Sequence, residues 1–424
     1  MTDYNILGSN MKRKLLRFTE RISERLTRPK YKFVSQMLYG IIASGKCQLS
    51  EIGRSLNETT KLKKTIDRLS RNLQDLGEAE RVSLMEGQIK AASYCFSEDT
   101  ILLIDNGDIT KPCSPKFEAI SKVKDGSTGE IRDGYNMLEI TALSSEKKMP
   151  ICVYSHVYST KERGFKSENT ETLKGLGFIS KHFEKNVIRA FDRGYDNKLI
   201  YERLIDEKES FVIRAKKNRD VIYKGERINI LELAKRFKGK FSLKFKKKNG
   251  FVADCKISMV EICLPSRPNA KLCLVICNGI GIEPMMLISN LRAEDNRLPV
   301  TITKVYLIRW RIEEFYRFKK QKFDLEDLRV RSLNSIRAMN LLASIAVGFI
   351  ALMSEKADTS RIVMEIIAIS MRIFDVALFN LYAIADGISR CFSKSKQGIS
   401  DLLRKKPKSL QLSLFHIRGF HLYA

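Results

Sequence analysis

Between residue 10 and about residue 97, apolar side chains recur at spacings of three and four, with Lys and Arg between them and long stretches free of proline. That period predicts helices. Within the segment, Ser50 followed by Glu51, Ile52 and Leu56, then Thr59 followed by Leu62, Ile66 and Leu69, predicts two short helices with a break at Asn57, in the manner of a helix-turn-helix. The texture changes near Ser97. Residues 100–104 form a short apolar run, 137–143 and 151–158 read as strands, 169–183 as a helix and 187–191 as a buried strand. A helix at about 197–205 and a strand at 210–213 follow. Three strands on hairpin-length connections and then a βαβαβ run predict a mixed sheet covered by helices. From Lys216 to about Leu291, alternating strands are punctuated by Asn249-Gly250, Pro265, Pro268, Asn278-Gly279 and Gly281, which predicts a β-rich insertion. Helices resume at about Pro299, with apolar faces at 341–353 and 362–388.

The expected organisation is therefore a helical region at 1–97, the first part of an α/β core at 98–215, the insertion at 216–298, a core helix at 299–330, and a C-terminal helical region ending in a poorly ordered basic tail at 331–424. A chain of 424 residues is long enough for two to four such units. Charge sharpens the picture. Lys and Arg number 76 against 49 Asp and Glu, an excess of 27 positive charges spread along the whole chain. A polyanionic partner follows from that balance. The longest apolar stretch, 341–353, falls short of the roughly 20 residues a bilayer span needs, so it reads as a buried helix and not as a membrane segment. The N-terminus lacks a basic flank followed by an apolar core, so no secretory signal is visible and a cytoplasmic location is expected.

Some motifs invite over-reading. The second short helix carries Lys61, Lys63, Lys64, Arg68 and Arg71 on its polar sides, suited to lie on DNA phosphates or simply to face water. The stretch from Lys235 to Lys248 interleaves cations with Phe237, Phe241 and Phe245, which suits a nucleic-acid backbone but equally an amphipathic strand. The run from Gly40 to Cys47 nearly spells a phosphate-binding loop. Cys47 stands where Ser or Thr should hold the metal, and a helical pattern precedes it where a strand is required, so nucleotide binding is not expected. Nine scattered cysteines with no CxxC spacing read as reduced thiols. Cys273 and Cys277 lie on one face of a strand, far from His156, His182, His416 and His421, and packing explains them better than metal.

Two acids hold positions that chemistry favours. Asp105 is read as ending the first strand of the mixed sheet and Asp192 the first strand after the hairpins, with Gly107 and Gly194 letting the backbone turn away. Right-handed topology places the two strands side by side and parallel, and open sheets bind ligands at such carboxyl ends. Taken singly, each acid also fits a plain turn or a helix cap. Further on, Tyr306, Arg309, Glu313 and Lys320 stand at offsets 0, 3, 7 and 14, within a stripe roughly 60° wide on one helix. One carboxylate among cations suits a metal ligand beside phosphate-holding groups, although a salt-bridged outer face has the same look.

The spacing Tyr-x2-Arg-x3-Glu-x6-Lys resembles the signature of the cut-and-paste DDE transposases of bacterial insertion sequences, family four in the usual classification, and it is matched at every defined position. Leu-Ile-Asp105-Asn-Gly-Asp108, Phe-Asp192-Arg-Gly-Tyr, and the N-terminal Leu49-Ser-Glu-Ile-Gly-Arg-Ser-Leu with Thr65-Ile-Asp-Arg-Leu69 are similar to that family too. The resemblance implies a ribonuclease-H-like core with a β-strand insertion, for which the 120 residues between Asp192 and Glu313 leave room. It implies a catalytic, metal-binding triad of Asp105, Asp192 and Glu313 holding two Mg²⁺ ions, with Mn²⁺ as a possible substitute. Tyr306, Arg309 and Lys320 would contact transposon-end phosphates, Asp108 and Asp196 would neighbour the site, and Lys61, Lys64 and Arg68 would contact DNA. The implied partners are double-stranded DNA, as terminal inverted repeats and target, and a second copy of the chain through the C-terminal helices, in a bacterial cytoplasm at the nucleoid. Excision through a hairpin end would need an aromatic ring under an extruded base. Trp310 reads as packing, and Phe245 and Phe251 are candidates. An inactive transposase-derived DNA-binding protein and a host nuclease on the same fold are the alternatives.

Overall fold

The run Ile101-Leu-Leu-Ile104 is apolar on both sides of its backbone because both faces of the sheet it enters are covered. Leu102 and Ile104 belong to one buried cluster, Ile101 and Leu103 to another. The computed structural model describes residues 3–111, 116–246, 252–292, 296–372, 380–395 and 398–404. Its strands are β1 (Ile101–Thr110), β2 (Ser121–Lys124), β3 (Ile131–Leu143), β4 (Pro150–Tyr158), β5 (Ile188–Phe191), β6 (Phe211–Arg214), β7 (Asp220–Tyr223), β8 (Glu226–Asn229), β9 (Phe241–Lys246), β10 (Val252–Leu264), β11 (Arg267–Asn278) and β12 (Met285–Ser289). They form one sheet in the order β2-β3-β1-β5-β6-β12-β11-β10-β7-β8, with β4 also on β3 and β9 also on β10. β1, β3 and β4 make an antiparallel meander, and β5 and β6 run parallel to β1. The order β4-β3-β1-β5-β6 is that of a ribonuclease-H-like core, and the expected mixed α/β fold is present.

The β-rich insertion is joined to the core: β12 pairs antiparallel with β6, through Leu287↔Arg214, Ile288↔Ile213 and Ser289↔Val212, so the insertion prolongs the core sheet. Phe241 and Phe245 pack from β9 against the second buried cluster, while Lys240 and Lys244 stay exposed. The amphipathic-strand reading therefore describes this segment, and Phe251, Lys247 and Lys248 lie outside the described residues.

Before the sheet come α1 (Tyr4–Ile22), α2 (Arg28–Ser44), α3 (Leu49–Leu56), α4 (Leu62–Gln74) and α5 (Glu78–Ala92); between strands lie α6 (Glu168–Ile179), α7 (Lys198–Asp206) and α8 (Ile230–Lys235). After β12 follow α9 (Leu298–Leu307), α10 (Trp310–Lys322), α11 (Leu333–Glu355), α12 (Arg361–Ile369), α13 (Leu381–Lys394) and α14 (Ile399–Arg404). Local chemistry sets many of the ends. Ser167, Asn197 and Ser332 cap α6, α7 and α11 by accepting free amide protons. Asn57 adopts φ 48° and ends α3, producing the expected break. The run from Gly40 to Cys47 is the last turn of α2, closed by Gly45 at φ 67°, followed by a buried Cys47. It is a helix C-terminus, not a cradle.

The helical regions at the two ends of the chain share one core. Phe18 of α1 meets Phe349 of α11 at 5.4 Å between ring centroids, and Tyr39 of α2 meets Phe392 of α13 at 4.7 Å. α11, at 23 residues, is longer than its apolar run suggested and is long enough to cross a bilayer, yet 94% of its most apolar window is buried inside the protein. The eight described cysteines are free; Cys113, His416, His421 and, of the tail expected over about the last thirty residues, everything from residue 405 lie outside the described residues, while Ile399–Arg404 within it form α14. Cys277 contacts Thr303 at 3.3 Å and Cys273 the carbonyl of Leu291 at 3.4 Å, both packing contacts.

Candidate active site

β1 and β5 pair through Leu103↔Ala190 and Ile104↔Phe191, and β5 and β6 through Ala190↔Val212 and Phe191↔Ile213. The next row across the three strands is Asp105, Asp192 and Arg214. Side chains two residues apart share a face. Leu103, Ala190 and Val212 are buried together in the cluster under α9 and α10, so the row after next on that face carries both acids and an arginine to the rim. The adjacent placement of Asp105 and Asp192 was legible; Asp105 as a strand end was not. β1 runs on to Thr110, pairing Asp105 with Glu139 of β3. Gly107 consequently makes no turn. A Cβ there would sit 2.9 Å from the Tyr316 ring and from Met137, so its role is to admit Tyr316, whose hydroxyl donates to the Asp105 carbonyl at 2.7 Å. Gly194 lies in a single 3₁₀ turn, Arg193–Tyr195, with nothing near its Cα to demand glycine.

The expected single stripe spans two helices. α9 stops at Leu307, and 3₁₀-type bonds from Arg309 N to Tyr306 O and from Ile312 N to Arg309 O tighten the chain before α10 settles. The tight turn brings Tyr306, Arg309 and Glu313 onto the strand ends. Arg309 Nη1 donates to Asp105 Oδ2 at 2.8 Å and Nη2 to Glu313 Oε1 at 2.8 Å, with Asp192 Oδ1 4.0 Å away. Tyr306 donates to Asp192 Oδ1 at 3.0 Å. One guanidinium thus gathers all three expected acids.

Burial pushes the Asp105 carboxyl up to about 7; Arg309 opposes that shift, while Asp192 and Glu313 reinforce it. Burial acts on Asp192 in the same sense, but Arg309, the Arg193 amide, Tyr306 and Arg214 outweigh it and hold it below the ordinary carboxylate value. Arg309 is itself desolvated, yet the surrounding carboxylates raise its pKa strongly. Lys320 donates to Asp108 Oδ2 at 2.7 Å and lies 3.1 Å from Glu326, and Asp108 also accepts from the Gly126 amide at 3.0 Å. Asp108 therefore anchors Lys320. Asp196 is turned to other work: it is buried, accepts from the Lys216 amide at 2.7 Å and pairs with Arg219, securing the loop that follows β6. Trp310 is half-buried and is stacked by Arg311 at 4.4 Å.

Of the expected DNA contacts, Tyr306, Arg309 and Lys320 all face carboxylates of the protein, whereas Lys61 and Lys64 are exposed on and before α4. Arg68 is committed elsewhere: its guanidinium holds Glu58 in a fork at 2.8 and 2.9 Å and donates to Gln36 at 2.6 Å. Glu58 in turn accepts from Thr65, so this network ties α4 to α2. Arg68→Ala should cost about 1–2 kcal/mol in a denaturant titration. If the chain binds DNA as its charge leads one to expect, Arg68→Ala should leave the salt dependence of that binding unchanged, while Lys64→Ala reduces the slope by up to about 1. A slope that falls for Arg68→Ala and a stability that does not would return Arg68 to the expected DNA contacts.

Residues that sequence reasoning missed are Tyr316, Arg214 and the buried pair Glu139–Lys319. Arg214 had a readable signal, since it ends its strand as Asp192 ends the neighbouring one.

Three carboxylates are a donor set for hard divalent cations, which take oxygen ligands. Among the described residues, no three His, Cys, Asp or Glu side chains form a ready metal cluster. The acids are spread about Arg309 within a side chain's length, and their mutual repulsion at Asp105 is of the kind that a cation relieves. The residue types and the convergence fit such a metal.

Residues 165–349 match the family model of the transposase DDE domain, a span that includes Asp192 and Glu313 and begins after Asp105. No curated protein matches the chain. Among solved structures, the cryo-EM structure of the piggyBac transposase synaptic complex with hairpin DNA is similar over 95% of this chain and 85% of that one, at 10% identity and a TM-score of 0.46.

Proposed function

We propose that this chain is a DDE transposase of the cut-and-paste type, of bacterial insertion-sequence family four, acting on double-stranded DNA at the terminal inverted repeats of its element. The observation that carries the reading is the gathering of Asp105, Asp192 and Glu313 around one guanidinium, with Asp105 within β1 and Asp192 just past the end of the adjacent parallel strand β5. The match of residues 165–349 to a transposase DDE domain supports it independently.

The three acids would hold a pair of Mg²⁺ ions, or Mn²⁺ in their place. When bound, such a pair activates an attacking water or 3′-hydroxyl and stabilises the leaving oxygen of an in-line displacement at phosphorus. The chain's own residues set the geometry. Tyr316 holds the backbone of Asp105, Tyr306 holds one oxygen of Asp192, and α10 projects Glu313 toward both. Tyr306, Arg309 and Lys320 are assigned to transposon-end phosphates. Arg309 and Lys320 reach them by exchanging carboxylate partners for phosphate oxygens, so DNA binding and release of the acids are coupled. Lys61 and Lys64 contact the duplex from the N-terminal helices, the C-terminal helices pair two copies so that both ends are handled together, and the protein works in the cytoplasm at the nucleoid.

The test uses a supercoiled plasmid carrying the chain's own gene with its natural flanks, incubated with the purified protein and Mg²⁺ or Mn²⁺. Double-strand breaks at inverted repeats beside the gene, lost on chelation, are the expected result. Intact plasmid with both metals overturns the reading.

A further inference from the structure

The cations around the three acids are not equivalent. Arg309 is bonded to Asp105 and Glu313, and Lys320 to Asp108 with Glu326 beside it. Each faces carboxylates that largely cancel its charge. Arg214 differs. It stands in the same row and on the same face as Asp105 and Asp192, one strand further along, just past Val212 as Asp192 is past Ala190. Its neighbours at the site are the Tyr306 hydroxyl and, at longer range, Asp192. Among the described residues it forms no ion pair, although β6 places it at half exposure on the rim.

An arginine carried on a central strand, with no ion pair among the described residues and its side chain on the acids' side of the sheet, is a prepared anion site. Adjacent strands lie roughly 4.8 Å apart, so its guanidinium reaches a phosphate lying over Asp192 without any movement of the backbone. The hydroxyl of Tyr306, which donates to Asp192 Oδ1 at 3.0 Å, also lies beside Arg214 and so stands between the two.

We propose that Arg214 is a further catalytic residue, whose guanidinium holds a non-bridging oxygen of the DNA phosphate seated at Asp105 and Asp192. The proposal rests on the reading of the site as a DNA-cutting one. Negative charge on the phosphoryl oxygens must be met by fixed donors as displacement proceeds, and a donor built into a strand needs no reorganisation at that moment. The contact is stronger in the transition state than in the bound duplex, so its loss falls mainly on the rate.

The experiment compares wild type, Arg214→Ala, Arg214→Lys, Tyr306→Phe and Glu313→Gln on the plasmid with natural flanks, measuring kcat, the DNA concentration for half-maximal rate, and the denaturation midpoint. Arg214→Ala should lower kcat about 100-fold while changing half-saturation by less than about tenfold. Arg214→Lys, which keeps the charge and the aliphatic stem, should recover about tenfold of that loss, a rescue that a purely structural role would not give. Arg214→Ala cutting within about twofold of wild type, with Glu313→Gln inactive, overturns the assignment of Arg214 and leaves the active-site reading standing. Loss equal in Arg214→Lys and Tyr306→Phe overturns it as well, because Arg214 would then act only by steadying Tyr306. If wild type does not cut, the reading of the site fails and the assignment with it.

Discussion

Glu313→Gln should bind the element's ends as wild type does and fail to cut them, with cleavage reduced by at least about 10³-fold, equivalent to roughly 4 kcal/mol of barrier. The substitution is nearly isosteric and keeps an oxygen for Arg309 Nη2, which now lies 2.8 Å from Glu313 Oε1. The helix should be undisturbed, because Glu313 is half-exposed in the first turn of α10 while Ile312 and Phe315 on either side supply the packing. What disappears is a negative charge. A carboxamide is a poor ligand for a hard divalent cation, and two aspartates alone leave the proposed pair of ions one anionic ligand short. Binding of duplex ends depends on phosphate contacts and should persist, with its salt dependence intact. Gel-shift measurements beside the plasmid assay separate the two effects. Normal cutting by Glu313→Gln would remove this residue from the chemistry and break the triad.

What could be read from the sequence followed from local patterns. Apolar runs leading to Asp105 and Asp192 disclosed two parallel strands carrying acids side by side, although β1 runs on past Asp105, and the spacing of Tyr306, Arg309, Glu313 and Lys320 disclosed a surface facing them, although on two helices. What was missed depended on partners distant in sequence. The pairing of β12 with β6, which joins the insertion to the core sheet, leaves no trace in the alternation of either strand. The pause at Ile308 and Arg309 was invisible because neither residue is a helix breaker; docking Tyr306 on Asp192 and Arg309 on Asp105 favours the tighter turn. Arg68 looked like a DNA contact because its partner Glu58 lies ten residues back, across the break at Asn57. Charged residues are read by default as solvent-facing, and for that reason Glu139 and Lys319 were passed over although both are fully buried.

That pair carries the largest expected effect on stability. Lys319→Met should destabilise the fold by roughly 3–5 kcal/mol, seen as a fall in the denaturation midpoint, because it leaves the Glu139 carboxylate buried without its cation. Lys319 Nζ lies 2.5 Å from Glu139 Oε1, 2.9 Å from Asn340 Oδ1 and 3.0 Å from Ser344 Oγ, and Asn340 and Ser155 complete the shell of the carboxylate at 2.8 and 3.1 Å. Every donor in this network has an acceptor, which is the condition under which buried charge is tolerated. The double variant Glu139→Gln with Lys319→Met removes both charges and should regain most of the loss, whereas independent contributions would simply add. The pair also bears on the active site. Glu139 sits opposite Asp105 in the β1–β3 ladder, and Lys319 lies on α10 between Tyr316, which holds the Asp105 carbonyl, and Lys320, which holds Asp108. The ion pair therefore clamps the helix bearing Glu313 to β3, the strand that pairs with the one bearing Asp105. The double variant should be stable yet cut more slowly than wild type, since the helix has lost a fully buried charged attachment to the sheet. A double variant that is both stable and fully active would show that packing of Phe315 and Phe318 alone is enough to hold α10 in register.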